Sequence, residues 1–257
     1  MSHPAYGILR PVTATASVLL CDNPGHMTLD GTNTWLLRGP GSDEFVVVDP
    51  GPDDDAHITR LAEAGRIPLV LISHRHGDHT DGIDRLVAAS GATVRSVGSG
   101  FLRGLGGPLS DGEVIEAAGV RITVMATPGH TSDSLSFILD DAVLTADTVL
   151  GRGTTVIDGE DGNLADYLES LRRLQGLGSL TVLPGHGPEL HDVSAVAAMY
   201  LAHREERLGQ VREALRTLGE DATARQVVEH VYADVDEKLW EAAEQSVRAQ
   251  LDYLRRE

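Results

Sequence analysis

Short apolar runs, each ended by glycine, proline or a polar residue, dominate the first 190 residues of the chain. The clearest runs cover residues 46–48, 69–72, 120–126 and 180–183. Their short length and their β-branched residues favour strands over helices. Because a polar loop follows each run, these strands are predicted to present functional side chains on loops held by a rigid sheet.

Stretches with helical spacing lie between these strands. Three of them fit helices: residues 54–64, 81–90 and 164–175. In the last stretch Leu164, Leu168 and Leu171 recur at intervals of three or four, and Asn163 precedes them as a candidate N-cap. Strands and helices mixed in this way indicate an α/β or α+β domain.

From about residue 191 onward the pattern is helical throughout. Apolar residues at steps of three, four and seven mark a first helix: Leu201, Leu208, Val211, Leu215 and Leu218. Gly219 ends it, Thr223 is placed to cap a second helix, and residues 240–254 fit a third. The chain therefore divides into a domain of residues 1–190 and a small helical unit of residues 191–257, called the annex below.

The composition limits the classes of partner. The chain has 257 residues with 39 acidic and 21 basic side chains, a formal net charge of −18, which disfavours extended nucleic acid and anionic membranes. The single cysteine, Cys21, excludes an internal disulfide and a thiolate-based metal site. No leader or membrane-spanning segment is recognisable, so a soluble cytoplasmic protein acting on a small molecule is expected.

The strongest chemical signal follows the predicted strand at residues 69–72. The sequence His-Arg-His-Gly-Asp-His at residues 74–79 places three imidazoles and a carboxylate within six residues. Extended backbone points side chains i and i+2 the same way, so His74 and His76 can reach one ion. A loop is then expected to turn Asp78 and His79 toward a second position. Further candidates follow strands downstream: His130, Asp147 and His186.

These residues, in this order, closely resemble the metallo-β-lactamase superfamily over residues 12–190. The resemblance implies a four-layer αββα sandwich with a dinuclear metal site at one edge of its two sheets. It assigns the ligands as His74, His76 and His130 for one ion, Asp78, His79 and His186 for the other, and Asp147 between them. Asp49, in Asp-Pro-Gly, matches the family's early aspartate and is expected to orient a ligand.

The implied chemistry is hydrolysis. Two divalent ions about 3.5–4 Å apart can bind the attacking and the leaving oxygen of a reaction, and they lower the pKa of a bound water to near 7. A metal-bound hydroxide would then attack an ester, thioester or related acyl group, with Asp78 orienting the nucleophile or accepting its proton. Zn²⁺ suits imidazole and carboxylate ligands, and Fe and Mn accept the same set.

Two further segments resemble one branch of the superfamily, the β-lactamase-like protein 2 group. They are Asn-Pro-Gly-His-Met-Thr-Leu-Asp-Gly-Thr-Asn-Thr at residues 23–34 and Tyr-Leu-Ala-His-Arg at residues 200–204. The group's winged-helix domain matches the annex, with a wing expected to be shortened or missing. Asn33 and His203 are candidate substrate-binding residues, and each has a structural alternative: a turn for Asn33, a helix face or interdomain contact for His203.

Three functions stay open at this point. The first is a dinuclear-metal hydrolase of acyl substrates. The second is an endoribonuclease on short single-stranded RNA, as in vertebrate members of the group. The third is a mononuclear-iron sulfur dioxygenase. The annex carries 9 basic and 14 acidic residues, so it is expected to pack on the catalytic domain or to form a homodimer rather than to read RNA.

Overall fold

Two β-sheets form the centre of the computed structural model, which describes residue 3 and residues 5–157, 159, 161–233 and 240–256, with the backbone alone at 241 and 242. The first sheet has the spatial order β1-β2-β3-β4-β5-β6. Its strands are β1 (Leu9–Pro11), β2 (Ala16–Leu20), β3 (Asn33–Leu37), β4 (Glu44–Val48), β5 (Arg66–Leu71) and β6 (Thr93–Arg95). The pairs from β1 to β4 are antiparallel, and β4, β5 and β6 run parallel.

The second sheet has the order β11-β10-β9-β8-β7. Its strands are β7 (Val114–Ala117), β8 (Val120–Ala126), β9 (Leu135–Ile138), β10 (Ala142–Ala146) and β11 (Thr181–Pro184). Only β10 and β11 are parallel, and Val143 aligns with Val182 in their register. The polar loops singled out from the sequence follow β4, β5, β8 and β11, and Asp147 follows β10.

Helices cover the outer faces of both sheets. On the first sheet lie α1 (Asp55–Ala64) and α3 (Ile83–Ser90), and on the second lie α4 (Leu164–Gln175) and the start of α5 (Val193–Leu218). A single turn of helix, α2 (Gly77–Thr80), connects β5 to α3. The αββα order that the sequence resemblance implied is confirmed.

Strand alternation explains why the layers form. In β4, Val46 and Val48 face the core between the sheets, whereas Phe45 and Val47 face α1 and α3. Side chains alternate across a strand, so a run that is apolar at every position is buried on both faces. The short apolar runs of the sequence therefore became interior strands covered by helices.

The annex contains α6 (Ala224–Val231), α7 (Trp240–Leu254) and the second half of α5. Thr223 caps α6 in a capping box with Gln226, as its position predicted. Helix α5 starts at Val193, just after the predicted boundary at residue 190, and contacts both units: Tyr200 packs against the second sheet's outer layer, and Val211 packs in the annex core. No helix in the described part of the chain is long and apolar enough to cross a membrane.

Several elements differ from the sequence expectations. The structure starts α1 at Asp55, with Asp54 as its N-cap, and starts the helix expected at residues 81–90 at Ile83, as α3, with the separate turn α2 before it. The expected loop at Asp78 and His79 is the helical turn α2. Four residues are too few to show helical periodicity, so the sequence pattern gave no sign of this turn.

Candidate metal centre

Asp49 and Ser73 fix the backbone where the metal-ligand segment leaves β5. The Asp49 carboxylate accepts from the Ser73 amide at 2.8 Å and from its hydroxyl at 2.6 Å. The Ser73 hydroxyl in turn lies 2.9 Å from Nδ1 of His74. Asp49 itself has a positive φ of 55°, so the end of β4 is bent to bring its carboxylate under this segment. The two adjacent parallel strands thereby orient the first histidine.

The first ligand group consists of His74, His76 and His130, whose ligand atoms all lie within 4.8 Å of one another. Nδ1 of His76 is 3.1 Å from Nε2 of His74 and 3.0 Å from Nε2 of His130. The other nitrogen of His130 lies 2.6 Å from the carbonyl of Val156, to which it donates. Because that bond fixes the proton on Nδ1, the lone pair of His130 Nε2 points at the other two imidazoles.

The second ligand group consists of Asp78, His79 and His186. Nε2 of His186 is 3.1 Å from Oδ2 of Asp78 and 3.2 Å from Nε2 of His79. The far nitrogen of each histidine is held by an acceptor: Nδ1 of His79 by Asp49 at 2.9 Å, and Nδ1 of His186 by the Gly31 carbonyl at 3.1 Å. Such outer partners set the tautomer and the ring orientation of metal-binding histidines.

Asp147, at the end of β10, lies between the two groups. Its Oδ2 is 3.7 Å from Nε2 of His130 and 3.4 Å from Nε2 of His186, and its Oδ1 is 3.5 Å from Nε2 of His79. Its Oδ1 is buried, and none of the described residues offers it a hydrogen bond. An ionised oxygen buried without a donor is costly, and a cation is the partner that this donor set fits.

Gly185 leaves room for this arrangement. A Cβ at position 185 would stand 2.5 Å from Oδ1 of Asp147 and 2.9 Å from Cε1 of His79. Both distances are shorter than real Cβ contacts allow, so any larger residue would displace a ligand. Because Gly185 has no side chain, the end of β11 can lie close to both ligand groups.

Charge separates the histidines into two kinds. Burial lowers the pKa of His74 and of His130, so both imidazoles are neutral with a free lone pair at neutral pH. Burial acts in the same direction on His79 and His186, but the carboxylates of Asp147 and its neighbours outweigh it and raise the pKa of each. Protons on His79 and His186 thus balance the negative charge of these carboxylates, a role that divalent cations would take when bound.

Asn33 lies next to the centre but its amide is engaged elsewhere. Its Nδ2 donates to the carbonyls of Pro184 at 3.0 Å and Gly187 at 2.8 Å, on either side of His186. Both amide hydrogens are therefore used to hold the loop that carries His186. The structure thus gives Asn33 a positioning role that the resemblance did not indicate, and its contact with a substrate stays a prediction.

Thr32, the neighbour of Asn33, makes the direct approach to the ligands. Its hydroxyl donates to Oδ2 of Asp78 at 3.4 Å and accepts from the Asn23 amide at 3.0 Å. Asn23 also accepts from the Thr32 backbone N–H at 2.8 Å. The N-terminal segment that resembles the β-lactamase-like protein 2 group therefore supports Asp78 through Thr32.

Helix α5 supports the segment that follows Asp147. The Tyr200 hydroxyl accepts from the Leu150 amide at 3.1 Å and approaches the Gly153 carbonyl at 3.1 Å. Arg204, one helical turn later, is buried and donates to the Thr155 carbonyl. The Thr155 hydroxyl donates to the Asp147 carbonyl at 2.8 Å. The sequence pattern did not reveal these contacts, although the Tyr-Leu-Ala-His-Arg segment contains both side chains.

His203, the other expected substrate residue, lies away from the seven ligands in a pocket between α5 and residues 154–156. Its Nε2 accepts from Nε of Arg207 at 3.4 Å. Its Nδ1 is buried without a partner among the described residues. The structure therefore groups His203 with the annex side of the molecule, and its contact with a substrate stays a prediction.

Comparisons with known proteins show the family to which this chain is similar. A family model described as Metallo-beta-lactamase superfamily matches residues 27–186, and one described as Beta-lactamase associated winged helix domain matches residues 223–257. The lactamase-like protein vrtG of Penicillium aethiopicum is 32% identical over 225 residues, which cover 84% of this chain and 71% of that protein. The beta-lactamase-like protein 2 homolog of Caenorhabditis elegans is 32% identical over 231 residues, covering 84% and 76%.

A solved structure extends the similarity to the whole fold. The crystal structure of a beta-lactamase domain protein from Burkholderia ambifaria superposes with a TM-score of 0.82 over 98% of this chain and 89% of that chain, at 22% identity. That superposition includes the annex as well as the two sheets.

Proposed function

Because the chain belongs to the metallo-β-lactamase superfamily, we propose that it is a metal-dependent hydrolase that uses two divalent ions, with zinc preferred, on an ester, thioester or related acyl substrate. The observation that carries this proposal is the position of Asp147 between two complete ligand groups. Its buried Oδ1 has no hydrogen-bond partner among the described residues.

The ions, when bound, supply a water of lowered pKa and an electrophile for an acyl oxygen. His74, His76 and His130 would hold one of them, and Asp78, His79 and His186 the other, with Asp147 shared. Neutral imidazoles and ionised carboxylates are the forms that ligation requires. The lowered pKa of His74 and of His130, and that of Asp147, provide those forms at neutral pH.

Asp78 is the proposed catalytic carboxylate. Its side chain is 27% exposed, against 12% for Asp147, so it is the more open of the two toward solvent. Oδ2 faces His79 and His186, whereas none of the described residues bonds Oδ1. That oxygen is free to orient a water for attack and to take up its proton. The Thr32 hydroxyl also donates to Oδ2, so Oδ1 is left for the water.

Two observations favour this function over the other candidates. The second ligand group stands complete beside the first, and a mononuclear iron dioxygenase has no need of it. The annex has an excess of acidic over basic residues, 14 against 9, which disfavours an RNA-binding surface. A small acyl substrate is therefore the proposed partner.

A substrate panel tests the proposal. Zinc-loaded protein is incubated with thioesters, esters, a lactam and a short single-stranded RNA, with Asp147→Asn as the control for the metal centre. Metal-dependent hydrolysis of an acyl substrate, lost in the variant, is expected. Cleavage of RNA with every acyl substrate intact would overturn the proposal in favour of a nuclease, and oxygen uptake on a persulfide would overturn it in favour of a dioxygenase.

A further inference from the structure

A second pocket lies where the annex meets the catalytic domain. It has a volume of about 200 Å³ and is lined by residues 154–156, His203, Arg204, Arg207, Tyr232 and Gln250, among others. We call it the annex pocket. None of the seven ligands of the metal centre lines it.

Arg204 is a buried cation without a carboxylate. Only 4% of the residue is exposed, and no carboxylate among the described residues forms an ion pair with it. Its Nη2 donates to the Thr155 carbonyl, and its guanidinium carbon lies 5.0 Å from the centre of the Tyr167 ring. A carbonyl and an aromatic face do not neutralise the charge, and an unpaired buried charge is strongly unfavourable.

Two hydrogen-bond donors in the annex pocket also lack acceptors. Nε of Arg204 is buried with no partner among the described residues. Nε2 of His203 accepts from Arg207, so the proton of the neutral ring is on Nδ1, which is buried and equally unpartnered. Oε1 of Gln250 is a third buried atom without a partner, and a half-turn of that amide would present a further donor.

Arg207 adds a second cation to the same wall. It donates to Gln210 at 2.8 Å and lies 5.3 Å from the centre of the Tyr232 ring, and no carboxylate among the described residues pairs with it. The described side chains that line the annex pocket include no aspartate or glutamate. The two arginines and the unpartnered Nδ1 of His203 together suit one anionic group, because its oxygens accept several charge-assisted hydrogen bonds.

The annex pocket shares a wall with the metal centre. The Val156 carbonyl accepts from His130, and the Thr155 hydroxyl donates to the Asp147 backbone. Residues 154–156 therefore touch the metal ligands on one side and line the annex pocket on the other. An anchor at this position would hold one end of a substrate whose other end is at the metals.

We propose that the annex pocket binds a carboxylate or phosphate group carried by the acyl substrate. The assignment of this group to the substrate rests on the proposed hydrolase function, whereas the binding of an anion does not. Arg204, Arg207 and His203 supply the charge and the hydrogen bonds. Although the annex has more acidic than basic residues, this one local cluster of cations would thus let it select the substrate.

Binding of free anions is the first arm of the test. Inorganic phosphate and, separately, acetate are titrated into the zinc-loaded full chain by calorimetry, with Arg204→Lys and Arg207→Met as variants. Arg216→Met, an exposed arginine on the same helix, is the matched control. The affinity of at least one anion is expected to fall about tenfold or more in both pocket variants and to stay unchanged in the control. Affinities that are equal in wild type and both variants would overturn the proposal, because the anion then binds at the metal ions.

Turnover is the second arm. A succinyl and a butyryl thioester of the same thiol differ mainly in one terminal carboxylate. The wild type is expected to have a KM about tenfold lower or more for the succinyl compound, and Arg207→Met to remove most of that preference while the control keeps it. Equal KM values in the wild type would overturn the assignment to the substrate. If no acyl substrate of the panel reacts, the hydrolase function fails while the first arm still decides whether the annex pocket binds anions.

Discussion

Oδ2 of Asp49 lies 2.9 Å from Nδ1 of His79, and the same carboxylate accepts two hydrogen bonds from Ser73. One buried side chain at the end of β4 thereby orients a ligand on α2 and the backbone that leads to His74. The metal centre depends on this junction between strands as much as on its own ligands.

Asp49→Asn should weaken metal binding while leaving the fold intact. The amide can still accept from Ser73, but it no longer provides the charge that fixes and polarises His79. Loss of such an outer partner typically costs about 10- to 100-fold in metal affinity. Zinc titration by calorimetry checks this, with the exposed Asp140→Asn as a control. An affinity equal to that of the wild type would contradict the role given to Asp49.

Gly185→Ala should disrupt the centre by steric displacement. The new Cβ would stand 2.5 Å from Oδ1 of Asp147, so the carboxylate or the β11 loop must move. We expect at least one ion per chain to be lost, as measured by elemental analysis, with the circular dichroism spectrum unchanged. Gly107→Ala is the matched control, because nothing lies within 4 Å of a Cβ at that position. Full metal occupancy in Gly185→Ala would refute the close packing described for this loop.

His57 should make the stability of the fold depend on pH. Burial lowers its pKa from 6.5 to about 4, and its ring bonds the Thr34 hydroxyl at 2.9 Å. The folded protein keeps the imidazole neutral, whereas the unfolded chain takes up a proton below pH 6.5. The stability that this neutral group contributes is complete above pH 6.5 and is lost as the pH falls toward 4.

Urea unfolding at pH 7 and pH 5 measures this effect. Between these values the wild type should lose about 2 kcal/mol more unfolding free energy than His57→Gln, since the variant has no group that titrates there. Other groups titrate alike in both proteins and cancel in the comparison. Equal losses in the two proteins would mean that His57 is not held neutral.

Tyr200→Phe should loosen the segment that follows Asp147. The hydroxyl accepts from the Leu150 amide, which would be left without that partner at the partly buried contact between α5 and this segment. An unsatisfied donor costs about 1–3 kcal/mol when it is fully buried, so the unfolding free energy should fall by about 1 kcal/mol at this partly buried site. Thermal and urea unfolding provide the measurement. No change in stability would show that water replaces the hydroxyl.

The sequence could predict the elements whose periodic pattern extends over many residues, and the site whose ligand-type residues are concentrated in short segments. Residues 164–175 and 120–126 coincide with α4 and β8, because a helix of three turns and a strand of seven residues have room to display their periods. The seven proposed ligands come together as the resemblance implied, since strand ends that are distant in sequence meet at one edge of the sheets.

Other features lie beyond sequence patterns for physical reasons. The strands of residues 9–37 are three to five residues long and are separated by segments that contain glycine, asparagine or threonine, so no long pattern of alternation marks them. The role of Asn33 depends on which carbonyls its amide meets, Pro184 and Gly187, which are about 150 residues away. Arginine usually lies at the surface, so the burial of Arg204, which is 4% exposed, is evident only from tertiary packing.

The number of metal ions bound per chain decides whether the centre is dinuclear. Purified protein is saturated with zinc, freed of excess metal and analysed for zinc and protein together, alongside His186→Ala. We expect about two ions per wild-type chain and about one in the variant, whose second ligand group is incomplete. One ion per wild-type chain at saturation would contradict a dinuclear centre, and with it the proposed hydrolase.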